Sequence, residues 1–241
     1  MGRMLDPIKI VSKIVNSLHT EKPLSGLRAI VTSGPTFEMI DVIRYIGNRS
    51  TGKQGHAIAI ALAKFGAITK LISGPTDQPD PDGVETIHVN SGEEMLYECK
   101  KSLPADIAIC AAAVSDWRPT NIVKNKLKKD PSLNPPTISL SENPDILATL
   151  SQSDNSRPNL VVGFAAETEN IIENGEKKRS NKGCDWVLAN DISINNGAVG
   201  GDNNQIHFIS KTGVHIWPIM SKEMIGRNLA QKIVQHFQGS Q

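Results

Sequence analysis

The sequence predicts an α/β fold, a parallel sheet flanked by helices with a small antiparallel β annex. Three observations carry this. Short runs rich in β-branched and apolar residues at 29–33, 68–72, 84–89, 106–113, 160–165 and 185–189 alternate with stretches of helical periodicity, the order of parallel strands joined by right-handed crossovers. The run at 106–113 is continuously apolar, as expected of a strand buried on both faces. The helix after the first strand places Ala57, Ala59, Ala61 and Ala63 where close packing on a sheet needs small side chains.

Taken in order, Asp6-Pro7 is an N-cap followed by proline at the first helical position, ahead of Ile8, Ile10, Val11, Ile14, Val15 and Leu18 at helical spacing. A polar connector at 21–26 leads into the first strand. The strand is followed by a glycine-rich loop of roughly 18 residues, a length that marks a functional or disordered segment. The loop places Arg, Asn, Ser, Thr and Lys just ahead of a helix, where N–H groups and the helix dipole favour an anion. It reads as the anchor of a phosphate-bearing ligand. Gly66 ends the helix. Ser91-Gly92-Glu93-Glu94 opens another with a capping signature, and Leu103-Pro104 closes it.

The alternation then breaks. Residues 115–136 carry Asp116, Arg118-Pro119, a lysine run and further prolines, and read as an extended, mobile excursion before a short strand at 137–140. Glu142-Asn143-Pro144-Asp145 opens a helix to 150, and a charged helix runs from 168 to 182. Beyond a Gly/Asn-rich stretch at 191–204, residues 205–210 and 214–218 flank Lys211-Thr212-Gly213 as a β-hairpin. The closing helix at 221–237 sets Ile225, Leu229, Ile233 and Val234 on one face. The whole is a Rossmann-like parallel sheet with an antiparallel annex.

At 241 residues the chain suffices for one large α/β domain or a core with an annex. Lys plus Arg total 26 against 25 Asp plus Glu, and aromatics are 4%, a balance that argues against a nucleic-acid surface. No apolar run approaches the ~20 residues of a membrane span, and a cytoplasmic setting is the default. Cys99, Cys110 and Cys184 are too few and scattered for a disulfide framework or zinc site, and the six histidines lack ligand spacing.

In an open α/β sheet, ligands bind at the carboxyl ends of the strands. The unusual residues all follow strands: 34–55, 111–116, 164–169 and Asn190-Asp191. Gly47 to Lys53 mimics a P-loop, but Gln54 stands where Ser or Thr would hold magnesium. A G-x-G-x-x-G is absent after the first strand, which lowers the prior for a dinucleotide-dependent dehydrogenase. The cluster Lys124, Lys126, Lys128 and Lys129 reads either as a solvated run or as a flap closing over a polyphosphate. Asp116 either binds a base or sugar or caps a turn.

The residues Ser33-Gly34-Pro35-Thr36, Arg44-Tyr45-Ile46-Gly47-Asn48-Arg49-Ser50-Thr51-Gly52-Lys53 and Ala111-Ala112-Ala113-Val114-Ser115-Asp116-Trp117-Arg118-Pro119 resemble those of phosphopantothenoylcysteine synthetases. So do Lys126-Leu127-Lys128-Lys129, Asn143-Pro144-Asp145-Ile146-Leu147, Val162-Gly163-Phe164-Ala165-Ala166-Glu167-Thr168 and Ala189-Asn190-Asp191, in order to the C-terminus. The opening Gly2-Arg3-Met4-Leu5-Asp6-Pro7 resembles the tail of a flavin-dependent decarboxylase that bacteria fuse ahead of this synthetase. The resemblance therefore implies a linker remnant at 1–25 and a synthetase domain at 26–241 with a mobile flap at about 116–136. No FMN is expected in this chain.

The resemblance implies a ligase of coenzyme A biosynthesis. CTP, with Mg2+, activates the carboxylate of 4'-phosphopantothenate as an acyl-cytidylate and releases pyrophosphate. L-cysteine then attacks through its amine and CMP leaves. Carried over by motif, Asn48 and Lys126 are the catalytic residues. The Asn48 amide would orient the activated acyl group, and Lys126 would offset charge during cytidylate formation. Arg44, with Asn48, is a candidate for the acyl substrate. Ala112, Asp116, Pro144, Asp145, Ile146, Leu147, Phe164, Lys178 and Lys182, with Lys126, match nucleotide contacts. No protein metal ligand is assigned, and the resemblance also implies a homodimer, with annex strands near Thr137 and at 205–218 pairing across a two-fold axis. A dinucleotide or sugar-nucleotide enzyme, or a non-catalytic nucleotide sensor, on the same fold are the competing readings. Gly47, Arg49, Thr51 and Ser115 depart from the family's commoner residues but remove no group the chemistry needs.

Overall fold

A computed structural model describes residues 22–128, 136–193 and 200–239. The helix expected over 6–18, Lys129, and the middle of the Gly/Asn-rich stretch lie outside the described residues.

Six parallel strands build the centre: β1 (Arg28–Ser33), β4 (Ile68–Ser73), β5 (Glu85–His88), β6 (Ile107–Cys110), β9 (Leu160–Glu167) and β10 (Trp186–Asp191). The antiparallel hairpin of β12 (His207–Ser210) and β13 (Gly213–Ile216) extends the same sheet, whose order is β13-β12-β10-β9-β6-β1-β4-β5. The 205–218 hairpin thus continues the main sheet through β10. Separate small antiparallel pairs are β2 (Phe37–Met39) with β3 (Tyr45–Gly47), β7 (Trp117–Pro119) with β8 (Leu140–Glu142), and β11 (Asn203–Asn204) with β14 (Met220–Ser221). The strand order reverses between β1 and β6, so the carboxyl ends of these two strands flank the topological switch point.

Five α-helices are described: α1 (Lys53–Lys64), α2 (Gly92–Lys101), α3 (Ile146–Ser151), α4 (Ile171–Lys182) and α5 (Lys222–Gln238). Their starts follow local chemistry. Ser91, Asp145 and Ser221 each accept from the N–H three residues on, at Glu94, Ala148 and Met224. After α1, the N–H groups of Gly66 and Ala67 bond back to Ala63 and Leu62 with Gly66 at φ 99, a Schellman stop. The charged helix begins at Ile171, later than residue 168, because β9 continues to Glu167 in register with Asp191.

Period-two alternation splits the core between the two faces of the sheet. Val31, Leu160 and Val162 face a cluster containing Ile58, Leu62, Leu229 and Ile233, whereas Ile30 and Val161 face one containing Met95, Ile146 and Leu150. Helix α1 sits unusually close. A Cβ at Gly55 would lie 2.4 Å from Ser33 Oγ, and one at Gly226 of α5 would lie 2.7 Å from the Ala57 carbonyl. Of the four α1 alanines, Ala59 and Ala61 are buried, while Ala57 and Ala63 lie at the margin.

The expected long loop after β1 is not structureless. It folds back as the β2–β3 hairpin, fastened by Phe37 stacked on Tyr45 at 3.8 Å between ring centroids. The short strand expected over 137–140 forms at Leu140–Glu142, because Trp117–Pro119 supplies its partner. Part of the stretch read as an excursion is therefore paired. Thr120 donates to Ser139, and Val123 to Ile40.

Candidate active site

The loop after β6 is laced to the loop after β1. The Ala113 N–H donates to the Gly34 carbonyl at 2.9 Å, and the Ala112 and Ser115 N–H groups donate to the hydroxyls of Thr32 and Thr36 at 3.2 and 3.0 Å. Thr32 and Thr36 are themselves buried, so their hydroxyls need these partners. From the other side, Asn143 Nδ2 donates to the Ser115 carbonyl at 2.8 Å, and the Asn143 N–H donates to the Asp116 carbonyl at 2.8 Å. Arg118 reaches the Glu142 carbonyl, Asn143 Oδ1 and the Glu93 carboxylate. Segment 112–116 is thus a backbone ledge held from both edges, and Asp116 leaves it as an exposed carboxylate.

Asn48 sits against this ledge. Its Nδ2 donates to the carbonyls of Ala113 and Val114, both at 3.1 Å. Only an amide nitrogen can face two carbonyl oxygens, so the orientation is chemically determined. Both hydrogens are engaged, and Oδ1 is left as an acceptor with no partner among the described residues.

Arg44 stands at the end of the β2–β3 turn. Its Nε donates to Asp41 Oδ2 at 3.0 Å, and one terminal nitrogen donates to the same oxygen and to the Leu127 carbonyl at 2.7 Å. Asp41 is 1% exposed, and the Arg44 guanidinium first, aided by backbone N–H groups, holds its carboxyl well below the usual carboxylate range. Lys126, the neighbour of Leu127, is exposed.

The nucleotide candidates gather around β9 and α4. Phe164 lies half-buried on β9, and Leu147 covers Gly163, where a Cβ would come within 2.6 Å of Leu147 Cδ2. Ile146 and Leu147 are buried in the core, and Pro144 and Ala112 are half-buried beside it. Lys178 and Lys182, one turn apart, are half-buried, whereas Lys177, the residue before Lys178, is exposed and paired with Glu173. Lys182 forms an ion pair with Asp145, the cap of α3. Burial pushes the Asp145 carboxyl up, but the Ala148 N–H and then Lys182 outweigh it and leave the group below its ordinary value. Burial pushes the Cys110 thiol up to about 12, so it is a protonated packing group rather than a nucleophile. Lys53, the P-loop mimic, is spent on Asp202 at 2.6 Å and the Gly200 carbonyl.

The structure thus joins Asn48 to the ledge, Arg44 to the lysine segment, and Lys182 to Asp145. It does not join Lys126 to Lys178 or Lys182 by any described contact. Sequence reasoning missed Asp41, Thr32, Thr36 and Asn143 as builders of the site. Thr36 and Asn143 stand inside recognised motifs, whereas Asp41 carries no local signal of its burial. Among the described residues, no group of three or more His, Cys, Asp or Glu is placed to hold a metal ion, and no helix is long and apolar enough to cross a membrane.

The family model for the DNA/pantothenate metabolism flavoprotein C-terminal domain matches residues 24–237. The chain is 39% identical over 238 residues to the coenzyme A biosynthesis bifunctional protein CoaBC of Escherichia coli K12, covering 98% of this chain and 58% of that protein. It is 33% identical over 231 residues to CoaBC of Borreliella burgdorferi, with 95% and 58% covered. The chain therefore spans somewhat over half the length of these relatives. Among solved structures, the C-terminal domain of CoaBC superposes with a TM-score of 0.76 at 32% identity, over 91% of this chain and all of that one. A Cab2 variant in complex with phosphopantothenate-cysteine shares the fold, with a TM-score of 0.68 at 16% identity over 98% and 97% of the two chains. The strand order, the ledge at the switch point and these matches lead to one conclusion: the chain belongs to the family of the DNA/pantothenate metabolism flavoprotein C-terminal domain.

Proposed function

We propose that this chain is a phosphopantothenate–cysteine ligase of coenzyme A biosynthesis that uses CTP. The observation that carries this reading is the backbone ledge at the β1–β6 switch point, bordered by Asn48, in a chain 39% identical to CoaBC. A carboxylate attacking a phosphate brings two anions together, so cations and N–H groups must offset their repulsion.

In this reading Lys178 and Lys182 hold the triphosphate, and Lys182 exchanges Asp145 for phosphate oxygens. Ala112, Asp116, Pro144, Ile146, Leu147 and Phe164 form the nucleotide pocket. Lys126 stabilises charge as pyrophosphate leaves. Arg44 meets the acyl substrate through the guanidinium edge not engaged by Asp41. With both amide hydrogens committed, Asn48 meets the reacting groups through Oδ1, which suits an N–H of the incoming cysteine amine better than an acyl oxygen. Asp116 is the one exposed carboxylate of the ledge and offers no cage for Mg2+. Asp116 would be the protein's contribution to an ion brought in by the triphosphate, which would supply charge neutralisation at the phosphates.

Self-association fits the same reading. Val42, Ile43, Tyr45, Trp117, Ile122 and Leu140 are large apolar side chains left exposed on contiguous segments beside Arg44. Their coverage by a second copy would form a homodimer near the site. A cytoplasmic location goes with these substrates.

A coupled assay tests the reaction. Pyrophosphate and CMP should be released together only when CTP, 4'-phosphopantothenate and L-cysteine are all present. Absence of nucleotide turnover with that full set would sink the reading.

A further inference from the structure

We infer that Asp41 is a positioning residue for Lys126: its buried carboxylate, with the Arg44 guanidinium it orients, grips both backbone polar groups of Leu127 and so sets where the adjacent lysine can reach. The inference deepens the proposed ligase reading only through Lys126; the grip itself is a property of the fold.

The geometry is a two-point clasp. Asp41 Oδ1 accepts from the N–H groups of Ile43 and Arg44, both at 2.8 Å. Asp41 Oδ2 accepts from Arg44 Nε, from an Arg44 terminal nitrogen, and from the Leu127 N–H at 3.1 Å. The same terminal nitrogen of Arg44 donates to the Leu127 carbonyl at 2.7 Å. One carboxylate therefore uses its full acceptor capacity, partly on a residue 86 positions away in sequence. A turn needs only the two local bonds. The remaining donors serve the lysine segment.

That segment has little else to hold it. From 121 to 128 every residue is exposed except Leu127, which is half-buried. Its other described backbone tie is the Val123 N–H to the Ile40 carbonyl at 3.1 Å, onto the same hairpin. Lys126 thus projects from a short span pinned on both sides to the β2–β3 turn. Charge-assisted bonds are the stronger ones, and burial of Asp41 shields these from water.

Native-state proteolysis of the full chain with trypsin tests the clasp, reading cleavage after Lys124, Lys126 and Lys128 by mass spectrometry. Asp41→Asn should accelerate cleavage there about tenfold, the change expected when charge-assisted bonds weaken and local opening becomes easier. Leu127→Pro removes the N–H that Asp41 accepts, along with the leucine side chain and some backbone freedom, and should accelerate cleavage after Lys124 and Lys128 while leaving the Asp41–Arg44 pair. It keeps the test informative if Asp41→Asn does not fold. Asp185→Asn is the control for general destabilisation. Asp185 ties Arg157 and the Val161 N–H far from the segment, so its loss should lower Tm without raising cleavage at 124–128. On turnover at saturating 4'-phosphopantothenate, which masks any weaker substrate contact through Arg44, Asp41→Asn should slow pyrophosphate release about tenfold and add nothing in a Lys126→Gln background. Unchanged cleavage in Asp41→Asn or Leu127→Pro, equal acceleration in Asp185→Asn, or fully multiplying effects of Asp41→Asn and Lys126→Gln would each overturn the proposal. Should the parent chain release no pyrophosphate, the ligase reading fails and the cleavage result alone judges the clasp.

Discussion

Arg44 and Lys182 each meet a carboxylate beside the crevice, yet the two pairs are built differently. Asp41 has no exposed side-chain surface and takes donors from three residues besides binding Arg44's guanidinium twice, whereas the side chains of Lys182 and Asp145 are 36% and 39% exposed and share a single contact. An exposed pair of that kind contributes at most about 1 kcal/mol, because water competes for both partners. The Arg44 side is therefore scaffold as well as site. The α4 side is a cation resting on a weak partner, which in the proposed ligase would give way to a stronger anion. One region is held by many buried bonds, and the other by a single exposed contact.

Substitutions can break or sharpen that contrast. The largest effect should come from Lys126, which has no described partner and which the proposed reaction uses to offset charge. Lys126→Gln should slow pyrophosphate release about 100-fold, as loss of one charge-stabilising donor does elsewhere, with little change in Tm. Asn48→Asp should act on the second half of the reaction. A carboxylate would face the carbonyls of Ala113 and Val114 in place of an amide N–H pair, so the acyl intermediate should accumulate in quench-flow while pyrophosphate is still released. Wild-type rates in both variants would remove these role assignments.

A smaller effect is expected at α4. Lys182→Gln should raise the KM for nucleotide about tenfold and leave Tm nearly unchanged, since the pair it breaks is exposed. A large fall in Tm would show that Lys182–Asp145 is scaffold too, and the contrast would collapse.

The smallest effect concerns pH. His56, buried at the start of α1, holds Ser33 Oγ and the Gly52 carbonyl through Nδ1, and burial lowers its pKa. A group whose folded pKa is depressed resists a proton that the unfolded chain accepts. Stability should therefore be full above the ordinary value of 6.5 and decline as pH falls below it. Asp41 and Asp145, also depressed, should add their losses only in more acidic solution, below the ordinary 3.8. Urea unfolding at stepped pH would show this, and a flat profile between pH 7 and 5 would refute it.

The features legible in the chain were those set by neighbours in sequence. Ser91, Asp145 and Ser221 start helices because each side chain reaches an N–H three residues away, and Gly66 stops α1 because a glycine tolerates its φ. The parallel strands were readable because burial on both faces leaves a continuous apolar run, as in Ile107–Cys110. The boundaries that shifted depended on distant partners. Leu140–Glu142 is a strand where Trp117–Pro119 pairs with it, and β9 runs past residue 165 because β10 accompanies it.

The same division holds at the site. Motif and position pointed to Asn48, Arg44 and the α4 lysines, because their chemistry is visible in a side chain's identity. Which atom of Asn48 remains available was decided by two carbonyls 65 and 66 residues away. Asp41 looks like any turn residue until the fold buries it and brings Leu127 to it. Sequence alone determined the order of the main-sheet strands and their helices, the caps and the reactive groups, since periodicity and short-range hydrogen bonds need no tertiary context. Tertiary structure decided which polar groups spend their bonds on the protein, because burial forces each to find a partner and only the folded chain says which partner is near.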